Sequence, residues 1–414
     1  MKKSLTALLA AALVWFLHHS QRRIDATPEK AAMIAANPFH KLPPAQYMTE
    51  YVGSMLMGGM RAVAIDYLWI QFGRAEKARQ FREVEAILDI LIRLQPEFPE
   101  VWNHLAWSRA YNIAALMESP EERWKWVEQG LRCSDEGIAR NPGEEKLWFQ
   151  KGYLRWHRLP QEPFLLERYQ QTTGRLASQD AAIAFERAIE IAQSQGRDNT
   201  RPPCDAMLQE SYQRWAFDEL RRGDLARAKE VLQQGRTTYE RLMRGRPITP
   251  LNEKQNRAFG DLAAAFDLEL EQATRPSDQT LVRLLGTYTA IEKEYHAVKP
   301  VERRIVELIL PRVVPAALAL AREGRPGDAS TLIEDSLVDP FADLSVRLDG
   351  SVNPFWESLV NFAQRLRAVL GLEAEDKKAA AAQKLDDLLE EFRYILPAHI
   401  NDALRDRARE LRGR

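Results

Sequence analysis

The stretch QPEFPEVWNHLAWSRA at 95–110 and the stretch NPGEEKLWFQKGYLRW at 141–156 carry the same cadence. Pro96 is followed after five residues by Trp102 and then Leu105-Ala106; Pro142 is followed after five residues by Trp148 and then Lys151-Gly152. A proline ends one helix because it lacks the backbone donor, and an aromatic at fixed distance opens the next. Repetition at a spacing of tens of residues is how a chain spells stacked helical hairpins.

Composition agrees with helices throughout. Charged residues make up 28% of the 414 and hydrophobic residues 45%, and Ala, Leu, Glu and Arg recur at helical spacing. The 58 Lys and Arg against 59 Asp and Glu leave a formal net charge of −1. No global field draws in nucleic acid, which is therefore not expected as a partner. Cys133 and Cys204 are the two cysteines, far apart and without a short metal-type spacing, and read as buried or half-buried thiols.

At the amino terminus, Lys2 and Lys3 precede an uncharged stretch, Ser4 to Leu17, rich in Leu, Val, Trp and Phe. No small-residue cleavage site follows closely, so residues 1–24 are expected to be an uncleaved signal-anchor helix that meets the membrane through residues 4–17. This predicts a single-pass protein of the inner, cytoplasmic membrane whose body lies outside the cytoplasm. Residues 25–50, with Pro28, Pro38, Pro43 and Pro44, read as a linker. Val52 to Phe72 is apolar apart from Arg61 and Asp66; a second span would bury that charge in lipid, so it is expected to be the first helix of the body, with Arg61 and Asp66 met by each other or by a neighbouring helix.

The units that follow resemble the tetratricopeptide repeat family, whose two-helix unit opens W-x2-L-G-x2-Y and continues A-x3-F-x2-A. The opening appears as Trp102-Leu105-Ala106-Arg109, as Trp148-Lys151-Gly152-Arg155 and, more weakly, as Tyr212-Trp215-Ala216-Glu219. The second-helix pattern appears as Ala181-Phe185-Ala188, and again as Ala228, Leu232 and Gly235 behind a Gly223-Asp224 turn. The resemblance implies an all-α, right-handed α-solenoid of helical hairpins, here behind an amino-terminal membrane-anchor helix. It covers roughly residues 65–245, and it departs from the family in one respect: the units are expanded, with extra residues near Met117–Trp124 and Leu159–Ser178, which either lengthen helices or add loops. The expected organisation is a repeat region at 51–245, further hairpins at 246–340 and a helical cap at 341–414. Within the last two, helices are expected near 252–273, 277–296 and 301–323, the third bent or broken at Pro311 and Pro315. A loop is expected from Asp339 to Asn353, then helices near 354–370, 373–396 and 398–411.

No phosphate-binding, zinc-protease, nucleotide or nucleophile-elbow motif occurs. His104 and His157 lack a partner at ligand spacing and read as ordinary helix residues. No enzyme, cofactor or metal is expected. What the resemblance implies instead is a concave groove formed by the first, fifth and eighth residues after each signature aromatic: Asn103, Trp107 and Ala110; Phe149, Tyr153 and Trp156; Gln213, Phe217 and Leu220. An aromatic groove of this kind suits an apolar or helical segment of another protein, the competing reading being that these rings are inter-repeat core. The expected role is a membrane-tethered scaffold for protein–protein interaction in assembly of a bacterial-type envelope complex. The alternatives are an enzyme or carrier with its site in the divergent carboxyl half, and a cytosolic adaptor.

Overall fold

The computed structural model describes residues 60–197, 204–244, 250–295, 299–346, 351–392 and 395–413. The expected anchor and linker lie outside them. Among the described residues there is no strand, only one isolated antiparallel bridge between Val346 and Val352, and no helix is long and apolar enough to cross a membrane. The chain divides in sequence into two compact units between Cys204 and Asp205.

Among its described residues the first unit contains three helical hairpins. Helix α1 (Met60–Lys77) pairs with α2 (Phe81–Leu94), whose Val84, Ile87, Leu88 and Leu91 recur at helical spacing on one buried face. The guanidinium of Arg61 donates to the carbonyl of Leu94, so the charge that argued against a membrane span is met by the neighbouring helix. Helix α3 (Pro99–Trp107) runs on through a π turn (Ser108–Ile113) and a short 3-10 turn (Ala114–Leu116), then pairs with α4 (Pro120–Arg140). Pro120 occupies the first turn of α4, and the Ser119 hydroxyl caps it by accepting from the Glu122 amide. The expansion of this repeat is therefore helix, not loop. Helix α5 (Glu145–Tyr153) continues through a second π turn (Leu154–Arg158) and a 3-10 turn (Leu159–Gln161). The extra residues behind it form a helix of their own, α6 (Pro163–Thr173), before α7 (Ala177–Ser194) closes the hairpin.

The Pro-x5-Trp cadence has a direct physical meaning. The indole Nε1 of Trp102 donates to the carbonyl of Pro96 at 2.8 Å, and that of Trp148 donates to the carbonyl of Pro142 at 3.2 Å. Each tryptophan thus ties its helix to the carbonyl left without a helical partner at the turn before it. Close packing between the two helices of each repeat uses small residues. A Cβ added at Gly137 of α4 would stand 2.8 Å from Trp102, and one at Gly152 of α5 would stand 2.8 Å from the Phe185 ring of α7.

The second unit opens with α8 (Cys204–Arg221) and α9 (Leu225–Leu242), joined by Gly223 at φ 82° and Asp224, which caps α9 through the Arg227 amide. Only glycine takes that backbone angle without strain. Next come α10 (Pro250–Thr274), α11 (Asp278–Tyr295) and α12 (Lys299–Arg322). Helix α12 continues unbroken through Pro311 and Pro315, so of the two outcomes expected there, a bend or a break, it is not broken. Its buried Leu310, Val314, Ala317 and Leu318 hold the helix in place while Pro315 is exposed, so packing supplies what the missing backbone donors take away. The expected loop from Asp339 is also shorter than supposed. Helix α13 (Pro326–Ile333) passes through a π turn (Glu334–Val338) directly into α14 (Asp339–Ser345), whose Phe341 and Leu344 are buried. Helix α15 (Pro354–Ala374) runs past Gly371, and the turn comes instead at Asp376, at φ 59°. Helices α16 (Lys378–Phe392) and α17 (Ala398–Leu411) complete the unit.

Two polar clusters hold the second unit. The buried carboxylate of Glu269 accepts from Arg304 at 2.7 and 2.8 Å and from the Tyr288 hydroxyl at 3.0 Å. The buried Glu292 accepts from the Trp356 indole at 3.2 Å. Burial, together with the negative Glu269 beside it, pushes the Tyr288 hydroxyl well above its ordinary value, so it serves as a neutral donor.

Candidate functional site: an aromatic ladder in the first unit

The repeat period is visible as contacts between first helices. Residues 46 apart face each other: Glu100 is ion-paired with Lys146 at 3.1 Å, the rings of Trp107 and Tyr153 lie parallel at 6.0 Å, and the hydroxyl of Tyr111 shares a 2.8 Å hydrogen bond with Nδ1 of His157. The second helices repeat as well. Arg109 reaches back to Asp89 at 3.0 Å, and Arg155 reaches back 20 residues in the same way to Asp135 at 3.2 Å. Position by position, one hairpin is laid on the next.

These contacts assemble a ladder of rings. Trp107 stacks on Tyr111 at 4.2 Å and on Tyr153; Tyr153 stacks on His157 at 5.1 Å and meets Trp156 at 5.8 Å and Phe149 at 5.9 Å. Four of the groove residues read from the sequence, Trp107, Phe149, Tyr153 and Trp156, therefore come together. Trp107 is 39% exposed and the other three are half-buried, so the ladder is neither sealed core nor a loose surface. Asn103 is half-buried on the same helix as Trp107, with its side-chain oxygen buried and without a hydrogen-bond partner. Ala110 is fully buried and offers nothing to a ligand.

The third set of groove residues is placed differently. Gln213 and Phe217 are buried in α8, and the Phe217 ring packs edge-on against Phe266 at 5.1 Å and lies 6.1 Å from Tyr288. They belong to the core of the second unit, because α10 and α11 cover the face that the count left open.

Sequence reasoning missed three members of the site: Tyr111, His157 and Arg158. The π turns explain why they matter. A π turn frees a carbonyl from the helical ladder, and Arg158, itself within the second π turn, donates Nε to the carbonyl of Ala110 in the first at 2.8 Å. The same guanidinium lies over the Tyr111 ring at 5.9 Å and pairs with Glu162 at 3.0 Å. Burial raises the Tyr111 hydroxyl above its ordinary value, Tyr153 adds to the rise, and Arg158 opposes it. Tyr111 and His157 were findable: they occupy equivalent positions one period of 46 apart.

Other candidate chemistry is sparse. Among the described residues no group of three or more His, Cys, Asp or Glu is placed to hold a metal ion. Cys133 and Cys204 are buried outside any disulfide, and burial pushes the Cys133 thiol up to about 12. A shallow groove lies between α10 and α11, lined by Asp261, Arg283, Thr287, Glu294 and Tyr295 among others.

No protein-family model matches the chain, and no curated protein matches it. Among solved structures, one match bears the description "Structure of Naa15/Naa10 bound to HypK-THB", at 12% identity, with 84% of this chain and 68% of that chain covered and a TM-score of 0.14. A superposition that poor carries no argument for this protein.

Proposed function

We propose that this protein is a membrane-tethered scaffold of tetratricopeptide-like repeats that holds an apolar, helical segment of another protein against the aromatic ladder, as part of a bacterial-type envelope complex. The observation that carries the reading is the ladder itself: six rings from two successive repeats, in register, with Trp107 open to solvent. Large rigid rings supply most of the energy of protein–protein contacts at little entropic cost, and Trp and Tyr dominate such anchors. The reading assigns the protein no catalysis and no cofactor. Its tether is the amino-terminal apolar stretch at residues 4–17.

The test is a photo-crosslinking amino acid at Trp107 in the full chain within native membranes, with a second chain labelled at Val282, which is exposed on α11. A discrete partner attached from position 107 and not from 282 supports the scaffold. Equal, diffuse labelling from both positions counts against it, as does a chain that washes from membranes in salt for the tether.

A further inference from the structure

The first described helix, α1, carries a second surface that the scaffold reading does not use. Val63, Tyr67 and Ile70 on α1 are 57%, 60% and 56% exposed, although Phe72 and Ala75 on the same helix are buried. Spacings of four and three residues put the three apolar side chains in one row along the helix, and continuing the row by four and three reaches Arg74 and Lys77, both exposed. Two further exposed cations lie beyond the end of the helix, Arg79 in the turn that follows and Arg82 in the first turn of α2. None of these four cations forms an ion pair among the described residues. Glu76 lies off the row, while Asp66, three residues after Val63 and four before Ile70, is exposed on the same face, which thus carries two cations, Arg74 and Lys77, against one carboxylate.

Exposed apolar side chains with unpaired cations beside them suit the boundary of an anionic bilayer, where acyl chains and phosphates lie within one side-chain length of each other. The apolar side chains enter the acyl boundary, the Tyr67 hydroxyl meets the headgroups, and the long Arg and Lys side chains reach lipid phosphates. A protein groove would also accept the apolar row, but the cations at its end would then need acidic partners within the same contact. A lipid surface supplies phosphate everywhere and constrains the helix least. We infer that the exposed face of α1 docks on an anionic membrane surface, orienting the first unit against the bilayer independently of any anchor at residues 4–17.

The experiment uses the full chain with Tyr67→Cys carrying an environment-sensitive fluorophore; Cys133 and Cys204 are buried, so labelling is selective. Folding of each labelled chain is checked by circular dichroism. Vesicles of phosphatidylcholine, alone or with added phosphatidylglycerol, are then titrated in. The expected result is a blue shift with the anionic vesicles only, suppressed by salt. In Arg74→Gln/Lys77→Gln the lipid concentration for half-maximal shift rises roughly thirtyfold, the loss of two surface cations at about 1 kcal/mol each. An unchanged spectrum overturns the inference. So does a probe already blue-shifted before lipid is added, because the face is then covered by protein. The readout is the probe and not sedimentation, so the scaffold and tether readings can fail while this one stands, or the reverse.

Discussion

Counting one, five and eight residues from a signature aromatic gives opposite outcomes in the two units. From Trp102 and Trp148 the count arrives at a half-exposed ladder; from Tyr212 it arrives at Phe217, fully buried against Phe266 and Tyr288. The helix surface is the same in both cases, but the neighbours differ. In the first unit the next first helix sits one period along and lays Tyr153 and His157 beside Trp107 and Tyr111, ring over ring, leaving the row open. In the second unit the long helices α10 and α11 lie across it. A groove is thus a property of what stops packing, not of the spacing that starts it.

The largest effect that tests this contrast comes from truncating the two rings to alanine. Phe217→Ala is expected to cost ~3–5 kcal/mol, the usual penalty for emptying a fully buried aromatic site, whereas Trp107→Ala, at a partly exposed ring, is expected to cost ~1 kcal/mol or less. Thermal or denaturant unfolding measures both, and comparable losses at the two positions would erase the distinction between ladder and core.

A smaller effect sharpens the account of the first unit. Gly152→Ala places a methyl group within 2.8 Å of the Phe185 ring, and overpacking of this kind costs ~1–3 kcal/mol. Pairing it with Phe185→Leu, which relieves the clash, should recover part of the loss in a double-mutant cycle. Strict additivity would mean that the two side chains do not meet.

The smallest effect is electrostatic. The Cys133 thiol sits above its ordinary value of 9.0 in the folded chain because burial penalises the thiolate. A raised folded value means that the contribution is fully present below the unfolded pKa and is lost as the pH climbs through the window up to about 12. Stability should therefore fall by about 1 kcal/mol from this one group between roughly pH 9 and 10. In Cys133→Ala the same titration by urea unfolding should be flatter by that amount; an identical slope would place the alkaline sensitivity elsewhere, for example in Tyr288 or Tyr169, both also raised by burial.

Much of the fold was legible because helices report themselves locally. Proline punctuation, amphipathic spacing and the glycine-turn signals placed most helices of both units, and the 46-residue cadence placed the repeated hairpins. Where the structure departs from that reading, a long-range contact overrules a local signal: α12 is not broken at its two prolines because its inner face is buried, and α14 takes the first half of the expected loop because Phe341 and Leu344 found a core. The candidate site was half legible. Trp107, Phe149, Tyr153 and Trp156 follow from counting along a helix. Arg158 does not, since its role depends on a carbonyl 48 residues earlier that a π turn has released.

The sequence by itself determined that this chain is helical, that two of its hairpins repeat at 46 residues and where most of the turns fall, because those features rest on backbone chemistry and short-range spacing. Only the tertiary structure decided which aromatic faces are surface and which are core. That choice depends on whether a later helix finds enough complementary apolar area to cover them, a property of pairs of helices far apart in the chain that no single stretch encodes.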